Sequence, residues 1–251
     1  MPAPIVIKIS GHELDSPDFL AELAATLKHF DTPVVIVHGG GKEITALQTR
    51  LGIEPRYVDG LRITDAESLA LVEMVLCGTV NKRIVRTLVN AGIDAVGLSG
   101  VDGGLVSADK MTHESVDMGY TGEVTAVRVD LLVDMLDQGV TPVIAPICLG
   151  EDTNFNVNAD HVAGAVAAAL EAERLVFVSN VEGVLKDGAV IPQLTPNQVG
   201  EMIADGTIFG GMIPKVKTAL ESLAEGVAQA VITNLKGLSS GGGTVFAEKL
   251  D

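Results

Sequence analysis

The sequence predicts an α/β protein built around a mainly parallel sheet. Short β-branched runs alternate along the chain with longer amphipathic segments, which is the pattern of repeated βαβ units. The short runs are apolar throughout, as are strands buried on both faces of a parallel sheet. With 251 residues, 47% of them hydrophobic, the chain is long enough for one large α/β domain or for two lobes that share a core.

Six apolar runs are predicted as the strands of this sheet: residues 4–9, 33–38, 94–99, 141–147, 174–179 and 229–233. The helices predicted between them cover residues 16–29, 42–51, 65–90, 130–137, 159–170, 196–204 and 212–225. Several of these begin with a polar cap followed by an acidic residue, such as Ser16 before Asp18.

Residues 103–128 break the pattern. "GGLVSADK" and "GYTGEVTAVRV" predict short antiparallel strands in a hairpin layer outside the main sheet. Further on, Asp187-Gly188 fits a two-residue hairpin turn. A fresh strand-loop-helix series begins after Ala172, so residues 1–172 and 173–251 are predicted as two lobes that share one sheet.

Composition argues against several classes of partner. A net charge of -16 repels nucleic acid and anionic membranes, whose binding depends on Lys and Arg neutralising phosphates. Aromatic residues are 3% of the chain, with no Trp, so platforms for base stacking are scarce. No apolar run reaches the roughly 18 residues of a membrane span, and the first residues do not resemble a signal peptide. We therefore expect a cytoplasmic protein.

The stretch "TPVVIVHGGGKEITALQ" places three glycines between an apolar strand and a helical pattern. It matches neither the dinucleotide-binding pattern G-x-G-x-x-G nor the P-loop pattern G-x-x-x-x-G-K-[ST]. It is either a tight turn that needs the conformational freedom of glycine or a backbone cradle for an anion at a helix start. Lys8, just before the turn at Ser10-Gly11, favours the cradle, because a lysine among apolar neighbours is costly to bury without a charged partner.

Three further segments combine polar side chains with glycine loops or helix starts. Arg62 follows a glycine in "DGLRIT", in a predicted loop, where it could hold a carboxylate in a bidentate fork or make a surface ion pair. Asn156, Asn158 and Asp160 alternate before a helix, and a helix cap explains only one of them. Lys215 lies near the start of the helix that follows "GTIFGG", a place unfavourable for a cation unless an anion binds there.

No nucleophilic or metal-binding motif stands out. Cys77 and Cys148 lie in separate apolar segments and are interpreted as buried thiols. The five histidines show no metal-ligand spacing and are interpreted as structural or exposed, although His12 and His38 flank the glycine loops. Glycine cradles, isolated cations and one carboxylate suit phosphoryl transfer, where catalysis is mostly positioning and charge neutralisation.

Eight segments together resemble, in order and spacing, the motifs of the amino acid kinase superfamily and, within it, of the N-acetylglutamate kinases: "VIKISG", "VIVHGGGKEI", "VDGLRITD", "GLSGVDGG", "GYTGEV", "PVIAPI", "NVNAD" and "DGTIFGGMIPKV". The resemblance covers nearly the whole chain. It implies a three-layer αβα sandwich, and an enzyme of arginine biosynthesis that phosphorylates the side-chain carboxylate of N-acetyl-L-glutamate with ATP.

The resemblance also implies the site residues. The catalytic set would be Lys8, Lys215, Asp160 and Gly11, and the substrate-binding set Gly40, Gly41, Arg62 and Asn156. In this scheme the lysines stabilise the phosphoryl group in flight, the aspartate orients both of them, and the glycines cradle the γ-phosphate. Arg62 grips the α-carboxylate of the substrate, and Asn156 binds its acetamido end. The nucleotide would lie on the second half of the chain, against Asn180, Val181, Glu182, Gly183, Val184, Leu185, Thr207, Ile208, Phe209, Gly210 and Gly211, with Mg²⁺ held mainly by the phosphates.

This chain departs from the family pattern at three positions. Ser10 stands where a glycine is usual, and Asn180 where an aspartate is usual. Lys42 follows the triple glycine in place of proline, and is either a solvated residue at the helix start or an extra positive group near the substrate.

Two alternatives to this function are a kinase of lysine biosynthesis, acting on aminoadipate attached to a carrier protein, and a non-catalytic amino-acid sensor. The acidic net charge argues against the first, and the intact Lys8, Asp160 and Lys215 argue against the second. Lys8 comes too early for the N-terminal helix of arginine-inhibited hexameric members, so we expect a homodimer without arginine feedback. The dimer would form through the helix at residues 65–90, whose apolar residues could instead be ordinary core: Leu69, Val72, Val75, Leu76 and Val80.

Overall fold

The computed structural model describes residues 2–11 and 13–249 and places many of their strands in one eight-stranded sheet. The strands are β1 (Ile5–Ile9), β2 (Val34–His38), β3 (Arg56–Val58), β4 (Leu61–Ile63), β5 (Ala95–Ser99), β6 (Val106–Lys110), β7 (Thr121–Val127), β8 (Thr141–Ala145), β9 (Ile147–Leu149), β10 (Asn154–Val157), β11 (Arg174–Val178), β12 (Leu185–Lys186), β13 (Ala189–Val190), β14 (Gln193–Leu194), β15 (Ala230–Thr233) and β16 (Thr244–Phe246). The order in the main sheet is β14-β16-β15-β11-β1-β2-β8-β5. Every pairing from β15 to β5 is parallel, which confirms the mainly parallel sheet.

Helices cover both faces of this sheet. They are α1 (Pro17–Leu27), α2 (Gly41–Leu51), α3 (Ala66–Glu73), α4 (Asn81–Asn90), α5 (Val129–Asp137), α6 (Ala159–Ala169), α7 (Pro196–Ala204), α8 (Met212–Ala224) and α9 (Leu235–Ser240). One face buries Leu23 of α1 and Ile84 of α4 in an apolar core, and the other buries Val166 of α6 and Val216 of α8 in a second core. The three-layer αβα sandwich is thereby confirmed. Among the described residues, no helix is long and apolar enough to span a membrane.

Strand β1 carries Lys8 into the interior of the sheet. Successive side chains of a strand point to opposite faces, so Ile7 and Ile9 enter one core while Val6 enters the other. Lys8 shares the face of Val6, which α6 covers. Its backbone lies between Phe177 of β11 and Val37 of β2, so β1 is no exposed edge strand and Lys8 needs a partner inside the fold.

Two strand predictions need correction. The run predicted at 141–147 breaks at Pro146, which lacks an N–H for the sheet, and the chain continues as β9 in a closed barrel with β6, β7 and β10. Strands β6 and β7 form the expected antiparallel hairpin, but the barrel was not predicted. Strand β5 lies at the sheet edge and leaves Val96 39% exposed, so burial on both faces was wrong for this strand.

The helix predicted at 65–90 is helical throughout but changes its winding. Helix α3 continues into a π-helical segment, Met74–Val80, which leads directly into α4. The apolar residues considered for a dimer interface are all buried within this chain: Leu69, Val72, Val75, Leu76 and Val80. The alternative that they are ordinary core is therefore the correct one.

Two small hairpins complete the fold. Strands β12 and β13 pair across Asp187 and Gly188, whose φ angles of 52° and 80° fit the predicted two-residue turn. Strands β3 and β4 form a second, unpredicted hairpin. Arg62 therefore lies on a strand and not in a loop, which fixes the direction of its side chain.

Candidate active site

Two glycine loops meet at the carboxyl ends of β1 and β2. The Gly39 N–H donates to the Ile9 carbonyl at 3.1 Å. A Cβ on Gly11 would lie 2.8 Å from the backbone nitrogen of Gly40, and a Cβ on Gly40 would lie 2.5 Å from Leu76 Cδ2. Gly40 has an extended φ of 169°, which any residue can adopt. Glycine at position 11 allows the close approach of the two loops, and glycine at position 40 allows the close approach of Leu76; neither is required by a left-handed turn.

The triple glycine leads straight into α2. Gly40 is the N-cap of this helix and Gly41 its first residue, and glycine offers no side-chain oxygen to accept the first amides. Amides at a helix start lack partners within the helix, and the helix dipole attracts negative charge there. The loop therefore presents a backbone site suited to an anion.

Lys8 pairs with Asp160. Its Nζ lies 2.6 Å from Asp160 Oδ1, and the two side chains are only 12% and 24% exposed. Asp160 is held in the first turn of α6 because its N–H donates to the N-cap, Asn158 Oδ1, at 2.8 Å. In the described ranges, Lys8 is the one Lys or Arg within 4 Å of the Asp160 carboxylate. Asp160 is expected to orient both lysines, and of the two it pairs directly with Lys8.

Lys215 faces the same space from α8. It lines a small cavity of about 130 Å³ together with Lys8, Asp160, Ser10 and Thr218, which we call the lysine cleft. Burial lowers the pKa of Lys215, and the positive charge of Lys8 lowers it further. Two cations that repel each other in a half-buried cleft favour an anionic ligand between them.

A larger cavity, of about 380 Å³, opens from the glycine loops and is called the glycine-loop cleft. All four predicted substrate-binding residues line it, together with Lys8 and Gly11: Gly40, Gly41, Arg62 and Asn156. Residues from the first strand, the first helix after the glycines, the β3–β4 hairpin and the barrel thus converge. These residues lie up to about 150 positions apart in the sequence, so the distances between them could not be predicted from it.

Arg62 is buried in this cleft, with 8% of its surface exposed. Its guanidinium donates to Gln48 Oε1, to Thr45 Oγ1 at 2.9 Å and to the Gly41 carbonyl at 3.2 Å, and lies 4.8 Å from the centre of the Tyr57 ring. Burial lowers the pKa of Arg62. No carboxylate in residues 2–11 or 13–249 lies within 4 Å of it. The interpretation as a surface ion pair is therefore wrong.

Three partners of Arg62, namely Thr45, Gln48 and Tyr57, were not predicted from the sequence. Thr45 and Gln48 follow Gly41 at four and seven positions, which places all three on one face of α2. This polar stripe beside the glycine loop was a sequence signal from which a place in the site could have been predicted for both Thr45 and Gln48. Tyr57 carried no such signal, because its place under Arg62 depends on the β3–β4 pairing.

The two asparagines of the Asx cluster have separate roles. Asn156 lies on β10, and its Nδ2 donates to Thr64 Oγ1 at 3.0 Å, which aims the side chain along the glycine-loop cleft. Asn158 is the cap of α6. Asp160 forms the ion pair with Lys8. The three alternating residues therefore place a cleft-lining amide, a helix cap and an ion-pair carboxylate at the start of α6.

A third cavity, of about 620 Å³, is bounded by the second half of the chain. We call it the Phe209 cleft. Its lining includes nine predicted nucleotide-binding residues together with Met212 and Lys215: Asn180, Val181, Glu182, Gly183, Val184, Leu185, Thr207, Phe209 and Gly211. Ile208 is instead 1% exposed and packed in the core, so its side chain does not line this cleft, and Gly210 is also absent from the lining.

The three departures from the family pattern occupy different places. Ser10 lines the lysine cleft, and Asn180 lines the Phe209 cleft. Lys42 forms an ion pair with Asp15 at 2.5 Å, and both side chains are about half exposed. Of its two interpretations, the solvated residue at the helix start is the correct one.

The cysteines are thiols at neutral pH. Cys148 is buried and Cys77 half-buried, and burial raises the pKa of Cys77 to about 11 and that of Cys148 to about 12. Neither is an activated nucleophile, because a reactive cysteine needs a lowered pKa. Of the two histidines beside the glycine loops, His12 lies outside the described residues, and His38 is fully buried at the end of β2.

His38 predicts a loss of stability in mild acid. Burial lowers its pKa from 6.5 to about 4, so between these values the unfolded chain binds a proton that the folded chain does not. The free energy of unfolding is therefore complete above pH 6.5 and falls towards pH 4, by on the order of 2 kcal/mol at pH 5. Urea unfolding at pH 7 and pH 5 should show a larger drop for the wild type than for His38→Asn, which cannot titrate. Equal drops would contradict the prediction.

Comparison with known proteins identifies the family of this chain. The model of the amino acid kinase family matches residues 3–234. The acetylglutamate kinase of Roseiflexus sp. (strain RS-1) is 54% identical over 98% of this chain and 94% of its own length, and that of Methanopyrus kandleri is 46% identical over 96% and 98%. A crystal structure from Streptococcus mutans UA159 shares 32% identity, with a TM-score of 0.78 over 98% of both chains. On this similarity along nearly its whole length, the chain belongs to the amino acid kinase family.

Proposed function

We propose that this chain transfers the γ-phosphoryl group of ATP to the side-chain carboxylate of N-acetyl-L-glutamate, a step of arginine biosynthesis. This is the reaction named by its curated relatives, which are acetylglutamate kinases at 46–54% identity. The products are the acyl phosphate and ADP.

The observation that carries the proposal is the order of the three clefts. Lys8 lines both the glycine-loop cleft and the lysine cleft. Lys215 lines both the lysine cleft and the Phe209 cleft. A phosphoryl group that moves from a nucleotide in the Phe209 cleft to an acceptor in the glycine-loop cleft passes the lysine cleft, with one cation on each side. Such charge stabilisation is the main catalytic demand of phosphoryl transfer.

The acceptor needs no general base. A glutamate side chain has a pKa of about 4.3 in water and is ionised at neutral pH. Its oxygen forms a new bond to the γ-phosphorus, the bond from that phosphorus to the bridging oxygen breaks, and ADP leaves with the electron pair. For this step the acceptor carboxylate and the γ-phosphoryl group, both anionic, must be held roughly 3 Å apart. The positive charges of Lys8 and Lys215 offset the repulsion between them. The amides of Gly11 and Gly40 donate to the phosphoryl oxygens.

The acyl substrate would be held at both ends. Arg62 binds its α-carboxylate, since a buried guanidinium with only neutral partners gains most from an anion. Asn156 donates to or accepts from the acetamido group, and Gly41 supplies the helix-start amide. The side-chain carboxylate is then directed towards Lys8.

The nucleotide would occupy the Phe209 cleft. Phe209 is 73% exposed and offers an apolar face to the adenine ring, while Gly211 and Lys215 lie where α8 begins. In the described residues, no three His, Cys, Asp or Glu side chains group as a metal site. Mg²⁺ would be held mainly by the phosphates, as is common for this ion, and it would neutralise part of their charge.

For the whole protein we propose a cytoplasmic homodimer, with residues 1–172 as the acyl-substrate and dimerisation lobe and residues 173–251 as the nucleotide lobe. Because the inward face of the long helix is core, contact would use its outward face, where Met74 and Val89 are 63% and 51% exposed. Sedimentation equilibrium should give twice the mass of one chain. A single-chain mass at micromolar concentration would rule the dimer out.

The test is ADP release with Mg-ATP, coupled to NADH oxidation, for N-acetyl-L-glutamate, L-glutamate and N-acetyl-L-aspartate. We expect a strong preference for N-acetyl-L-glutamate. Turnover of none of the three would overturn the proposal and favour the carrier-bound aminoadipate substrate or a sensor without catalysis.

Arg62→Lys is expected to raise the KM for N-acetyl-L-glutamate by about 10- to 100-fold with a smaller effect on kcat, because lysine cannot form the bidentate fork. N-acetyl-L-isoglutamine, whose α-carboxylate is an amide, separates this role from a general defect. The wild type should discriminate strongly against the amide, and the variant much less.

The matched control is Arg50→Lys, because Arg50 is exposed at the last turn of α2. It should leave both KM values unchanged. If Arg62→Lys raises the KM of acid and amide by the same factor, Arg62 does not bind the α-carboxylate.

A further inference from the structure

A buried polar chain lies directly behind the triple glycine, and the reaction described above does not use it. It consists of Lys82, Asn81 and His38, and it ends on the carbonyl of Gly39. His38 and Asn81 are both fully buried. A buried polar group is costly unless its hydrogen bonds are made, so the direction of each bond can be worked out.

The orientation of the Asn81 amide follows from Lys82. Lys82 Nζ lies 3.0 Å from Asn81 Oδ1, and an ammonium group can only donate, so the oxygen of this amide must face Lys82. The amide nitrogen therefore faces the other way, and donates to the Val143 carbonyl at 2.9 Å and to His38 Nε2 at 3.1 Å.

The tautomer of His38 follows from Asn81. Since Nε2 accepts a hydrogen bond, the proton of the neutral imidazole is on Nδ1. Nδ1 lies 2.9 Å from the Gly39 carbonyl oxygen and donates to it. Neutral imidazole is also the form that burial favours.

The anchored carbonyl sets the direction of the next amide. The peptide bonds of the described residues are trans, and in a trans peptide the C=O and N–H point in opposite directions. With the Gly39 carbonyl held by the buried imidazole, the Gly40 N–H points away from it. Gly39, Gly40 and Gly41 all line the glycine-loop cleft, whereas His38 does not. Across residues 2–11 and 13–249, no acceptor is hydrogen-bonded to the Gly40 N–H.

The π-helical segment Met74–Val80 supports the same loop. Side chains of Leu76 and Val80 come within 2.5 and 3.4 Å of a Cβ built on Gly40, and Asn81 follows immediately. The wider winding of a π segment shifts the residues after it relative to an α-helix, and such segments are frequent at functional sites. Here it places two apolar side chains under Gly40 and the Asn81 amide under His38.

We propose that His38 and Asn81 are positioning residues, which lock the Gly39–Gly40 peptide so that the Gly40 N–H is presented to the phosphoryl group during transfer. The inference rests on the proposed function, since it assigns a task within that reaction. The π-helical segment is the element that makes this lock possible.

Two substitutions of His38 separate the lock from simple filling of the core. In His38→Asn the amide nitrogen occupies the place of Nδ1 and can still donate to Gly39. In His38→Gln the amide lies one bond further out, near Asn81, and the donor to Gly39 is lost. We expect His38→Gln to lower kcat by about 10- to 100-fold, less than the roughly 10²- to 10³-fold cost of removing a transition-state donor outright, because the Gly40 N–H is released from its position but not removed. His38→Asn should stay within about threefold of the wild type. The KM for N-acetyl-L-glutamate should change little in either variant, because Arg62 and Asn156 are untouched.

Nitrogen NMR of ¹⁵N-histidine-labelled wild type at pH 7 tests the inference without any turnover. We expect a buried imidazole protonated on Nδ1, whose resonance disappears in the His38 variants. An Nε2–H tautomer overturns the proposal, as does an equal loss of kcat in both variants. Absence of wild-type turnover would count against the proposed function alone, and the tautomer would still decide the inference.

Discussion

Replacing Lys8 by methionine is expected to lower kcat by roughly 10³-fold or more, with a much smaller change in the KM for N-acetyl-L-glutamate. Methionine keeps the length of the side chain and fits its apolar strand, but it removes the positive charge between the acceptor and the transferred group. That charge matters most in the transition state, when acceptor and phosphoryl group are closest. Steady-state ADP release, with each substrate varied in turn, measures both constants.

The loss of Lys8 also leaves Asp160 without its ion-pair partner, 2.6 Å away in the native chain. A buried carboxylate without a partner is destabilising, so the thermal midpoint must be measured beside kcat. Lys8→Met combined with Asp160→Asn removes that unpaired charge and should recover stability without recovering kcat. Lys236→Met, on the exposed surface of α9, is the matched control. A near-normal kcat for Lys8→Met, or recovery of kcat in the double variant, would contradict the role of this lysine.

Six of the eight strands of the main sheet could be predicted because each is a short apolar run, and parallel strands lie next to one another with helices on both faces. The other two, β14 and β16, have only two and three residues and were not predicted. The barrel could not be predicted in the same way. Strand β9 has only three residues, and its membership depends on pairing with β10 and β6. Pro146, which interrupts the ladder, was the one local sign that the strand ends there.

The residues of the candidate site can likewise be divided into those with a local sequence signal and those whose contacts depend on tertiary structure. Residues such as Lys8 and Gly11 were identified because a lysine in an apolar strand and a glycine loop are unusual locally. The contacts of Arg62 depend instead on the β3–β4 hairpin and on a buried Gln48, which are tertiary facts. Ile208 was placed in the nucleotide set by its neighbours in sequence, but an apolar side chain beside an exposed Phe209 is free to turn inward, and it does.

Gly11→Ala is expected to lower kcat/KM by at least about 100-fold, since a displacement of about 1 Å at a reacting centre can cost that much. The added Cβ would lie 2.8 Å from the backbone nitrogen of Gly40. Backbone cannot rotate out of the way as a side-chain end can, so one of the two loops must move. Either movement displaces the Gly40 amide from the phosphoryl group. The measurement is kcat/KM for both substrates, together with the thermal midpoint.

Two further alanine variants show whether the backbone contact is the cause. The Cβ of Gly40→Ala meets side chains and no backbone, with Leu76 Cδ2 at 2.5 Å and Val80 Cγ2 at 3.4 Å. The end of the Leu76 side chain can turn aside, so the loss should be smaller than that of Gly11→Ala. Gly200→Ala, on α7 with no heavy atom within 4 Å of the new Cβ, should leave kcat/KM unchanged. A larger loss for Gly40→Ala than for Gly11→Ala would contradict this order. The order follows from what each Cβ meets. On Gly40 it faces side chains, whereas on Gly11 it faces the backbone of Gly40, which cannot yield without moving the site itself.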